Sequence, residues 1–95
     1  MNSQQFIDSL NLADPPLGLT APAEALWWDA KADWARAHGL VDALKTREGM
    51  AVHAYLHRKE GDESNAAYWY RRAGEQYRRV KLEEEWRALV TGLLG

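Results

Sequence analysis

Two histidines four residues apart, His53 and His57 in the stretch HAYLH, are the side chains best placed to do chemistry in this chain. On a helix that spacing turns both rings to one side, where their nitrogens could share a zinc ion. A closed zinc site needs two more ligands. His38, Glu60 and Asp62 are the donors at hand, and none stands at a spacing that fixes it as one. The HExxH form is absent, because Ala54 follows His53. The same rings have a structural use, packed between helices and hydrogen-bonded to a carbonyl or a tyrosine. That use is the first expectation, and a metal- or small-ligand-binding site at His53 and His57 is the alternative.

No other group of residues spells a reaction. Asp29 and Asp33 are four apart and could act as an acid–base pair, but Lys31, Arg36 and water are their expected neighbours. Ser9 and Ser64 lack a nucleophile elbow. The turns GLT and EGDES lack the lysine and serine of a phosphate loop. The chain is therefore expected to be non-catalytic and without a cofactor. Basic residues crowd RRAGEQYRRVK, but the EEE at 83–85 follows directly, and the pairs Glu75–Arg79 and Glu83–Arg87 suit a solvated helix. Nucleic acid is not an expected partner.

Composition sets the scale. Ninety-five residues with 12 basic and 14 acidic side chains carry a net charge of −2, which gives no bulk attraction to nucleic acid or an anionic membrane. A chain this size buries only roughly 60–70 % of its unfolded surface. Five Trp, four Tyr and one Phe must supply much of its core. There is no cysteine, no apolar run long enough to span a bilayer and no basic leader, so the expected setting is the cytoplasm.

These side chains must be held by helices, since no segment alternates as a strand would. The reading is a single all-α domain over 1–95, a bundle of about five helices. Residues 1–20 give a short helix capped by Ser3, then a Pro-rich strap laying Leu17 and Leu19 over the core. Residues 21–44, capped by Thr20, form a first helical hairpin with its break near Ala32-Asp33. Residues 47–74 form a second, parted at Gly61-Asp62, where Gly suits a left-handed C-cap and Asp an N-cap. Residues 76–94 form a capping helix whose acidic segment from Lys81 to Trp86 faces outward.

The two hairpins are a weak internal repeat. Sliding the chain so that Ala25 falls on Ala54 brings Asp33 onto Asp62 and Ala37 onto Ala66. In the second copy Ala54, His57, Gly61, Ala66, Tyr70 and Ala73 stand at the spacing of the tetratricopeptide and Sel1-like repeats, which this segment resembles. It departs from them at His57, where Tyr is usual, at His53, where Leu is usual, and in having no closing Pro. Small residues let antiparallel helices approach, so Ala54, Ala66 and Ala73 should line the crossing, with both imidazoles in that seam. The chain also resembles a group of small bacterial proteins carrying a segment close to AYLHRKEGDESNAAYWYRRAG, a likeness that implies no particular activity.

The repeat resemblance implies a protein-interaction module that binds a protein or peptide, or self-associates as a homodimer. The outward positions on the first helix of each pair would be Ala51, Tyr55, Arg58 and Lys59, with Trp28 and Asp29 from the first copy. Tyr55 and Arg58 lead as contact residues. Trp69 joins Trp28 because adjacent aromatics cannot all face inward. Trp27 and Trp28, or Tyr68, Trp69 and Tyr70, point about 100° apart per residue, so at least one is left for solvent or a partner.

Overall fold

The computed structural model describes residues 1–77 and 80–95. Every regular element among them is helical. The order is α1 (Ser3–Asp8), a 3₁₀ turn (Ser9–Asn11), α2 (Ala21–Ala30), α3 (Trp34–Val41), α4 (Arg47–Glu60), α5 (Glu63–Ala73) and α6 (Leu82–Leu94). The all-α bundle is as expected, with six α-helices rather than five. Several bounds differ. Asn2 rather than Ser3 caps α1, through a reciprocal box with Gln5. The last helix begins at Leu82 rather than 76, because Gly74 ends α5 in a left-handed turn and residues 75–77 stay non-helical. The Glu75–Arg79 pair, and residues 78 and 79 of the basic run, lie outside the described residues. Among the described residues no helix is long and apolar enough to cross a membrane.

The two hairpins, α2–α3 and α4–α5, are built to one plan. Asp33 and Asp62 each accept a hydrogen bond from the backbone N–H three residues on, at 3.1 and 3.2 Å. Their own N–H groups close matching turns onto the carbonyls of Trp28 and His57, each at 2.9 Å. The residue before each Asp is left-handed, Ala32 at φ 64° and Gly61 at φ 90°. Ala25 and Ala37 in the first hairpin, and Ala54 and Ala66 in the second, are fully buried where the helices cross. Ala73 is buried with them. The alanine seam is therefore real, and it recurs in both copies.

α4 runs through the middle. Every residue from Gly49 to His57 is buried, against α5 on one side and α2, α3 and α6 on the others. The main apolar cluster joins Phe6, Leu26, Trp27, Val41, Val52, Leu56, Trp86 and Val90. Its indoles are satisfied: Trp27 donates to Ser9 Oγ at 3.0 Å, Trp86 to the Leu26 carbonyl at 3.0 Å, and Trp34 to the Leu56 carbonyl at 2.8 Å. The Pro-rich strap behaves only partly as expected. Leu19 packs on the core, but Leu17 is wholly exposed, so the segment covers the core with one leucine rather than two.

α6 corrects a further expectation. Its acidic start does not all face outward, because Glu85 is 1 % exposed. Arg58 Nη1 donates to Glu85 at 2.8 Å, and the Tyr70 hydroxyl donates to the other carboxylate oxygen. Arg58 also donates to the Val80 carbonyl. Burial and the Glu85 carboxylate push the Tyr70 hydroxyl far above its ordinary pKa, so it stays a donor.

Ala32 supplies a test of the shared plan. A left-handed backbone costs a Cβ-bearing residue about 1–2 kcal/mol, part of which glycine would return as unfolded-state entropy. Ala32→Gly should raise stability by roughly 0.5–1 kcal/mol in urea unfolding, whereas Gly61→Ala at the equivalent turn should lower it.

Candidate metal centre

His53 and His57 lie one turn apart on the buried face of α4, toward α3. α3 brings His38 opposite them, because the Asp33 cap fixes where that helix starts. The three Nε2 atoms form a row with His53 in the middle. His38 Nε2 lies 3.1 Å from His53 Nε2, which lies 3.0 Å from His57 Nε2. Four ligands at 2.0–2.1 Å around a tetrahedral zinc stand roughly 3.3 Å apart, a spacing close to that of the two adjacent pairs in this row of rings. His38, His53 and His57 each offer one donor atom within 4.8 Å of the others.

Aromatic walls hold the rings. Trp34 stacks on His38 with centroids 4.8 Å apart and planes 9° apart. Trp69 stacks on His53 at 4.1 Å and 21°. His57 is oriented from its far edge, where Nδ1 lies 2.6 Å from Glu60 Oε2. A proton on that Nδ1 leaves the Nε2 lone pair pointing at the cluster, the carboxylate–histidine arrangement that accompanies metal ligation.

Electrostatics favours an uncharged His53. Desolvation, then the neighbouring His57 and His38, lower its pKa from 6.5 to about 4, against a weaker opposing pull from Asp42. Hydrogen bonding accounts for this ring poorly. Its Nε2 has one in-plane valence and faces two nitrogens, and its Nδ1 is buried with no partner among the described residues. Three imidazoles grouped this closely could also serve as a donor set for a cation.

Of the donors considered from the sequence, His38 joins His53 and His57. Glu60 sits behind His57, and Asp62 groups with Glu60 around that outer edge, with both carboxylate residues exposed. Trp34 and Trp69 as walls were not legible. Trp34 is one turn before His38, which was a usable signal, but Trp69 reaches His53 only through the α4–α5 crossing.

The residues expected to face a partner lie elsewhere. Tyr55 is 2 % exposed and points inward, donating to Asp29 Oδ2 at 2.9 Å. Lys59 Nζ donates to Asp29 Oδ1 at 2.9 Å, and Arg58 is taken by Glu85. The outward placement of Tyr55, Arg58 and Asp29 is therefore corrected, because a central helix has neighbours where an outer one would have water. Ala51 is likewise buried. The Asp29–Tyr55–Lys59 group borders a cleft of roughly 320 Å³ with Ile7, Leu10 and Trp86. Trp28 is half-buried, with Arg36 over its ring at 4.1 Å and its Nε1 donating to Glu24 at 3.2 Å. The aromatic left for solvent is Tyr68, 44 % exposed.

Comparison with known proteins gives no match, whether to family models, to curated proteins or to solved structures.

The lowered His53 pKa has a consequence for the metal-free protein. Between about pH 4 and 6.5 the unfolded chain takes up a proton at His53 that the folded chain refuses. Stability should therefore be full above pH 6.5 and fall as the pH drops toward 4, by up to about 3 kcal/mol. Urea unfolding across that window, with chelator present, reads it directly. His53→Phe should flatten the slope there, and an unchanged slope would show that another group carries it.

Proposed function

We propose that this protein binds a divalent transition metal, zinc or a cation of similar preference, through His38, His53 and His57. The observation that carries the reading is the grouping of three imidazoles from two helices, with His53 Nε2 3.1 Å and 3.0 Å from those of His38 and His57 and all three donor atoms within 4.8 Å of one another. Imidazole donors suit zinc, copper and nickel. Glu60 behind His57 and the indoles beside His38 and His53 fix ring orientation without competing for the cation. Bound metal would tie α3 to α4, and hence the first hairpin to the second, so that its binding free energy adds to folding stability.

The test is a zinc titration of chelator-treated protein, followed by tryptophan fluorescence and thermal unfolding. Trp34 and Trp69 stack on ligand rings, so fluorescence should change and saturate at one zinc per chain. Zinc at one hundred times its dissociation constant should add about 2.7 kcal/mol, a rise in Tm on the order of 10 °C. His38→Ala and His57→Ala should abolish both responses, and Glu60→Gln should weaken affinity roughly 10–100-fold. No fluorescence change and no rise in Tm at excess zinc would end the proposal.

A second reading, docking of a protein or peptide or self-association, is favoured by one observation. Tyr68 is exposed on α5, with Arg72 5.7 Å above its ring and 5.0 Å above that of Trp69. Tyrosine and arginine are residue types enriched in contact hot spots. Light scattering should then report a mass above one chain that Tyr68→Lys returns to monomer; a monomer at all concentrations would remove the homodimer.

A further inference from the structure

We infer that a metal held by the three histidines keeps one exchangeable coordination position, and that this position takes a water or hydroxide oxygen or another small monovalent anion. The inference rests on the metal site proposed above and adds to it what the metal binds.

The count of donors comes first. A four-coordinate cation takes three nitrogens here and needs one more ligand. Each carboxylate near the cluster is accounted for. Glu60 is engaged at His57 Nδ1, on the opposite edge of the ring from Nε2. Asp62 gathers with Glu60 at that same outer edge. Asp42 acts on His53 through its charge, without a donor atom joining the group. Among the described residues no carboxylate stands within 4.8 Å of all three imidazoles.

Charge then selects the ligand. A divalent cation among three neutral imidazoles carries its full charge into a mostly buried site, which favours an anion at the open position. Zinc in such a donor set lowers the pKa of bound water to about 7, so hydroxide is an available occupant near neutrality.

Space limits its size. Trp34 and Trp69 wall the cluster, and His38 is its only half-exposed member, which places the approach on the α3 side. The roughly 320 Å³ cleft shares no residue with the cluster. Walls on these sides favour a small ligand over a bulky one.

Cobalt(II) in place of zinc makes the position visible, with sodium azide as the probe. Chelator-treated protein loaded with one cobalt per chain should show visible d–d bands. Azide should shift them and add a charge-transfer band, saturating at one azide per cobalt, with affinity falling as the pH rises and hydroxide competes. Cobalt bands that appear at one per chain but do not respond to azide would overturn the open position while leaving the metal site standing. An azide response that appears only in Asp42→Asn or Glu60→Gln would overturn it too, by showing that a carboxylate fills the position. No cobalt spectrum in the unsubstituted protein would overturn the metal site and this inference together.

Discussion

A helix enclosed by its neighbours cannot hand its polar side chains to water, and α4 is enclosed from Gly49 to His57. Each polar group on it must find a partner on another helix or remain a cost of a few kcal/mol. Tyr55 finds Asp29 on α2, Arg58 finds Glu85 on α6, and Lys59 shares Asp29. These pairs reach across the bundle and fix how α2 and α6 lie against the centre. They are hydrogen-bonded on both oxygens of each carboxylate, the condition under which buried charge is tolerated.

The histidines are where that pairing runs differently. His53 and His57 face α3 and meet a third imidazole there rather than an acid. Burial and the two neighbouring rings make His53 resist a proton. A bundle satisfied with apolar packing would have filled this space with leucine. The lowered pKa of His53 makes this part of the bundle sensitive to falling pH.

The two hairpins show how a repeated backbone plan carries different chemistry. The turn, the Asp cap and the buried alanines recur in both. The positions of His53 and His57 correspond to Glu24 and Trp28 in the first copy, where the acid accepts from the indole and the pair stays at the edge. The same rungs therefore support a local hydrogen bond in one hairpin and a cluster shared between hairpins in the other. The reason is burial: α2 has one side free, and α4 has none there.

Much of the backbone was written in the residues themselves. Gly61-Asp62 marks a turn because a left-handed cap followed by an N-cap is a local requirement. Ala54, Ala66 and Ala73 mark a crossing because only small side chains permit it. His53 and His57 shared a face by helical spacing alone. What the sequence did not contain was the neighbour of each face. It offered His38 as one donor among several. It placed Tyr55 and Arg58 outward by treating α4 as an outer helix, and it read Glu85 as solvated with its acidic neighbours. Periodicity tells which residues point together, but direction acquires meaning only when another helix arrives. Long-range packing alone brought three imidazoles together and turned Tyr55 and Arg58 inward.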